Sequence, residues 1–116
     1  MELSTYAGLA TGEIGDFAPK PTSYEGDQLE ASRSFFRSED GLLDVGVWEC
    51  TPGRFTADRT QSSEVCHIIF GVVEMRRDDG EIRRLTAGDL LVLPKGWKGV
   101  WHIVEQTRKL YVVQKA

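Results

Sequence analysis

From Arg33 onward, apolar and polar residues alternate in short runs, and turn residues break one run from the next. RSFFR, LLDVGVWEC, GRFTAD, SEVCHIIF, VVEMRR, EIRRL, DLLVL, KGVWHIVE and RKLYVVQK are each rich in β-branched, aromatic or leucine side chains. Alternation with a period of two sets one face of a strand against a core and the other toward water. The breaks are Thr51-Pro52-Gly53, Asp79-Gly80, Ala87-Gly88-Asp89 and Pro94-Lys95-Gly96. Asp79-Gly80 predicts a hairpin with a type I′ turn, which needs positive φ at both central residues. Residues 26 to 34 are the one stretch expected to form a short helix. Many strands with few helices mean a sandwich or a barrel, and glycines inside several strands favour a small closed barrel or jelly roll. The fold class expected is all-β.

Residues 1–32 have another texture. Gly8, Gly12, Gly15, Pro19, Pro21 and Gly26 punctuate them, and neither period persists. They are expected to form an extended N-terminal arm that packs on the barrel, residues 33–116, or on a partner subunit.

Composition narrows the classes. A chain of 116 residues suits one domain. It can bury a core without disulfide or metal staples. A net charge of −4 offers no basic stripe for nucleic acid. Arg76, Arg77, Arg83 and Arg84 cluster, but they alternate with acids around Asp78-Asp79-Gly80 and read as a solvated hairpin. No apolar run reaches the roughly 20 residues of a membrane span. The N-terminal residues lack the basic start and apolar centre of a secretory signal. With Cys50 and Cys66 alone there is no disulfide framework, and a reducing cytoplasm is expected.

Two stretches carry a family resemblance. Glu64 stands ahead of Gly71 at the mouth of an apolar run, and Gly88, Pro94 and Gly96 punctuate the run GDLLVLPKG. Together they resemble the two motifs of the cupins, G-x5-H-x-H-x3-4-E-x6-G and G-x5-P-x-G-x2-H-x3-N. Val47-Trp48-Glu49 with Thr51-Pro52-Gly53, the run from Pro94 to Trp101, and Arg108-Lys109-Leu110-Tyr111 are similar to the ureidoglycine aminohydrolase branch, which includes the ethanolamine-utilisation cupin. The resemblance implies a double-stranded β-helix barrel and a homodimer. It also implies a metal held by three histidines and a glutamate. Here only Glu64 keeps its place. The first-motif histidines fall on Asp58 and Thr60, the second-motif histidine on Gly99, and the asparagine on Ile103. One carboxylate is a poor holder of a transition metal, so the expectation is a metal-free site with no cofactor.

Strand parity assigns the remaining candidates. If Glu64 points into the barrel, so do Cys66 and Ile68, while His67 points away; Trp97, Gly99 and Trp101 point in and His102 out. A β-bulge would reverse either set. The interior would then hold Asp58, Thr60, Glu64, Cys66 and Trp101, with Lys109 and Tyr111 from the last run. A polar group inside an apolar wall is the usual build of a small-molecule pocket. Glu64 should have a raised pKa there unless a cation such as Lys109 or Arg54 sits beside it. Glu64 and Asp58 are the candidate acid–base pair, with Thr60, Cys66, Trp101, Lys109 and Tyr111 as ligand-binding residues. Glu64 simply hydrogen-bonded by Thr60, Tyr111 or backbone amides is the plainer reading, as is Cys66 as a small buried hydrophobe. Trp48, Trp97 and Trp101 fit core packing, and Trp101 could fill the space a metal would take.

Two functions follow. One is a metal-independent cupin that binds a small polar metabolite inside the barrel. The other is a small-metabolite enzyme, aminohydrolase- or isomerase-like and metal-assisted.

Overall fold

The computed structural model describes residues 2–115. Nine strands form one continuous sheet: β1 (Ala18–Pro19), β2 (Ser23–Glu25), β3 (Leu29–Arg37), β4 (Leu43–Cys50), β5 (Gly53–Asp58), β6 (Ser62–Arg77), β7 (Ile82–Thr86), β8 (Leu90–Leu93) and β9 (Lys98–Lys115). The all-β jelly-roll expectation holds, and no helix occurs among the described residues. None is therefore long and apolar enough to cross a membrane.

The long strands β6 and β9 run antiparallel and act as a shared spine. The second half of β9 pairs with β4, its first half with β5. On the far side of β6, β8 pairs with its start and β7 with its end. The sheet thus curls into two layers joined through β6 and β9. The bend falls where the β6–β9 register slips between Ile68 and Val73. Gly71, with φ of 107°, sits at that slip, and a Cβ there would collide with Gln106 O and the Thr107 side chain. The motif glycine is required by a backbone that no other residue fits.

Two sequence expectations need correction. The helix expected over residues 26 to 34 is absent: Gly26 and Asp27 both have positive φ, which no α-helix accommodates, and Leu29–Arg37 pairs along β4. Asp79-Gly80 does close the β6–β7 hairpin, but only Gly80 has positive φ. Gly80 N–H donates to Arg77 O and Arg77 N–H to Glu81 O, so the loop is a three-residue turn ending on a left-handed glycine, not type I′. Strand pairing begins at Ala18, within the stretch expected as an arm.

Two apolar clusters hold the molecule together. The larger fills the barrel with Trp48, Phe55, Cys66, Ile68, Val73, Met75, Leu93, Trp101 and Ile103 among others. The smaller lies on the outer face, where Leu9 and Ile14 of the arm cover Ala31, Val47 and Leu110. Arg108 pins the arm there: Nη1 donates to Leu9 O and Gly12 O at 2.9 Å, and Nε to Glu49 Oε1 at 2.7 Å. Tyr6 stacks on Phe35 and donates to its carbonyl at 2.8 Å.

Candidate functional site

A cleft of about 350 Å³ opens into the barrel between β4, β5 and β9, with the β1–β2 turn at its rim. Its apolar wall follows from strand register. On β5, Phe55 faces Trp101 and Ala57 faces Gly99, so the odd residues of β5 point inward. On β4, Trp48 stands opposite Lys109. Phe55 and Trp101 stack at 5.8 Å, and Trp48 meets both edge-on. This aromatic trio buries the inner ends of three strands at once.

The charged floor of the cleft is built on Glu64, which is 2% exposed. Lys109 Nζ donates to Glu64 Oε2 at 2.8 Å, and Arg59 Nη2 to Oε1 at 2.7 Å. The same Lys109 ammonium lies 4.0 Å from the Trp101 ring centre and 4.5 Å from that of Trp48. Burial pushes the Glu64 carboxyl up, but the Lys109 and Arg59 charges outweigh it and hold the carboxyl below its ordinary value. Glu64 is therefore an ionised acceptor with both oxygens engaged, and no proton is available from it at neutral pH. A second pair sits at the rim: Lys20 Nζ meets Glu30 Oε1 at 2.9 Å, and Trp48 Nε1 donates to the same oxygen at 2.8 Å. Lys20 Nζ also lies 4.2 Å over Phe55.

The residues expected in the site are distributed unevenly. Glu64, Trp101, Lys109 and Tyr111 line the cleft together. Burial, then the nearby Asp44 charge, pushes the Tyr111 hydroxyl up, so it stays an O–H donor. Asp58 is exposed at the rim: its Oδ1 accepts from Thr60 N at 2.8 Å, which holds its pKa down, and Lys98 lies 3.9 Å away. Thr60 is exposed on the turn and does not border the cleft. Cys66 shares Glu64's face but lies behind the cleft wall in the apolar cluster, its thiol pushed up to about 12 by burial. The motif alignment counts Asp58 and Thr60 as inward together with Glu64. The turn after Asp58 breaks that count, so inward parity on β5 belongs to Phe55 and Ala57 and the cation that enters is Arg59. Arg54, the other expected cation, faces outward and meets Glu25 at 3.0 Å. His67 is exposed, and His102 contacts Glu74 at 3.2 Å on the outer face, as parity predicted for both.

Sequence reasoning missed Arg59, Lys20 and Glu30. Arg59 lies between the two positions that the motif alignment selects. Lys20 and Glu30 come from the stretch read as an arm, and no local pattern points them at the barrel.

The residues present do not fit a cupin metal. Gly99, at the second-motif histidine position, has no room for a side chain, because a Cβ there would strike Arg76 O and the Trp97 ring. Ile103 is a core residue, Asp58 and Thr60 are exposed, and both Glu64 oxygens already bind cations. No group of three His, Cys, Asp or Glu side chains able to hold an ion occurs among the described residues.

Comparison with known proteins agrees with this geometry at the level of the fold. The EutQ protein of Clostridium difficile is 23% identical, with a TM-score of 0.68 over 77% of this chain and 64% of that one. A DUF861-family protein of unknown function from Pseudomonas syringae pv. tomato is 21% identical, with a TM-score of 0.74 over 86% of this chain and 43% of that one. A DUF861-family protein from Thermotoga maritima reaches 34% identity over 56% of this chain and 73% of that one, with a TM-score of 0.53. The chain thus spans less than two thirds of the first two proteins. No curated protein matches. The family defined by the EutQ-like cupin domain matches residues 37–111, a span that holds β4 to most of β9 and the Glu64–Lys109 pair, and the chain belongs to that family.

Proposed function

We propose that this protein is a metal-independent cupin that binds a small polar metabolite in the barrel. The observation that carries this is the Arg59–Glu64–Lys109 group at the floor of an aromatic-walled cleft of about 350 Å³. Such a volume lies at the small end of ligand pockets, and a few fixed polar groups in an apolar wall are how such pockets orient a ligand. Lys109 supplies a fixed positive charge beside Glu64, where metal-binding cupins carry an ion. The open ligand positions are the outer side of Arg59, the remaining Lys109 donors and the Tyr111 hydroxyl.

The alternative, a metal-assisted enzyme of the ureidoglycine aminohydrolase branch, draws less support. It needs ligands that Gly99 and Ile103 have no way to supply, and an acid–base group, whereas Glu64 is already fixed as an ion.

Native mass spectrometry of protein purified without added ligand, followed by denaturing extraction, tests the proposal. A stoichiometric small molecule that is absent from Trp101→Ala protein is expected. Elemental analysis after exposure to manganese, zinc, iron and nickel supplies the counter-test. One tightly bound metal per chain, lost in Glu64→Gln, would overturn the metal-independent reading.

A further inference from the structure

The charges that border the cleft do not balance. Glu30 has Lys20 at 2.9 Å, Asp44 has Arg37 at 3.7 Å, and Asp58 has Lys98 at 3.9 Å. Glu64 alone has two cations, Arg59 and Lys109. Arg37 and Lys98 stand outside the cleft, whose own lining carries the cations Lys20, Arg59 and Lys109 and the carboxylates Glu30, Asp44, Asp58 and Glu64. The surplus of positive charge is therefore local to the floor, where two cations share one carboxylate and solvent screens them least. The Arg59 side chain is 26% exposed and lines the cleft; Nη2 gives one hydrogen to Glu64 and Nη1 one to Ser62 Oγ at 3.3 Å, and each of these nitrogens carries a second hydrogen.

The aromatic wall adds an independent constraint. Exposed indole and phenyl faces attract cations. Here the protein's own ammonium groups already cover them, Lys20 at 4.2 Å over Phe55 and Lys109 at 4.0 Å over Trp101. A cationic ligand would have to displace a lysine from its glutamate and would meet a surplus of like charge. An anionic ligand meets the unpaired charge, the free Tyr111 hydroxyl and two ammonium groups that flank the Trp48 indole.

Resting on the pocket reading above, we propose that the cleft selects a small anion with an apolar body. Its charged end lies against Arg59 and Lys109, and its body lies along Trp48 and Trp101. Lys20 at the rim acts as a specificity-determining cap that repels cations. A carboxylate and a phosphate share this chemistry.

Titration of ¹⁵N-labelled protein with propionate, inorganic phosphate and tetramethylammonium, reading the indole N–H signals of Trp48 and Trp101, separates the cases. Saturable shifts with propionate or phosphate, absent with tetramethylammonium, are expected, and the anion that saturates first identifies the source. Arg59→Gln should weaken that anion by roughly tenfold or more, the scale of one charge-assisted contact. Arg54→Gln, an outer-face change of the same charge, should leave it unchanged. Glu64→Gln, where its circular dichroism matches wild type, should tighten binding because the floor gains a second unpaired charge. A purely structural role would not produce that sign. Saturation by tetramethylammonium, or equal weakening by Arg54→Gln and Arg59→Gln, would overturn the anion proposal. A neutral metabolite retained through purification would do the same while leaving the pocket reading intact. No saturation by any probe and no retained molecule would remove both.

Discussion

Arg108 and Lys109 are neighbours on β9 that point to opposite sides of the same sheet. Both are buried, and both meet a buried glutamate: Arg108 meets Glu49 at 2.7 Å and Lys109 meets Glu64 at 2.8 Å. Burial and ion pairing do not tell them apart. What differs is how the remaining donors are used. Arg108 gives Nη1 to two arm carbonyls, and Glu49's other oxygen accepts from Gln106, so its surroundings are closed. Lys109 gives one hydrogen to Glu64 and faces open volume between two indoles. A buried charge held between its glutamate and the protein's own backbone is a pin; one with donors left beside a cavity is a site.

The largest effect expected on this comparison is at the inner pair. Removing one partner of a buried ion pair strands the other, a cost of about 3–5 kcal/mol. Glu64→Leu, which strands Lys109, should lower the unfolding free energy in urea by about that much, and adding Lys109→Met to it should recover part of the loss. Simple additivity of the two would show that the pair is not coupled.

Next comes the outer pin. Arg108→Ala should cost about 2–3 kcal/mol, and it should speed amide exchange and proteolysis over residues 6 to 14 without altering ligand retention in the cleft. Loss of ligand together with the arm would mean that the two sides of the sheet are linked.

A smaller, pH-dependent effect separates Glu64 from ordinary surface acids. Its folded pKa lies below the unfolded value of 4.5, so its contribution is fully present above that value and is lost as pH falls through the folded one. Stability curves of wild type and Glu64→Gln should run parallel from neutral pH to about 5 and converge in more acid solution. A gap that widens on acidification would reverse the sign and the assignment.

The smallest effect concerns the cysteines. Burial pushes Cys50 up to about 11 and Cys66 up to about 12, so neither supplies thiolate near neutrality. Both should resist alkylation in the native protein and react on unfolding. Rapid native labelling of Cys66 would place it on the cleft surface after all.

Strand alternation and turn residues determined much from the sequence alone. Glu64, Cys66 and Ile68 share one face with His67 on the other because side chains alternate across any strand, whatever surrounds it. Gly71, Gly88 and Gly96 keep their motif places because each adopts positive φ. Parity failed where a turn interrupted the count, which is why Asp58 stays at the exposed rim, Thr60 stands outside the cleft and Arg59 enters. Sequence pattern also has no access to pairings between distant segments. Only the curled sheet decided that Lys20 and Glu30, far from the motif, would reach Phe55 and Trp48, and that Trp97 would fill the space beside Gly99. Those choices depend on which strands become neighbours, and that is set by the packing of the whole sheet.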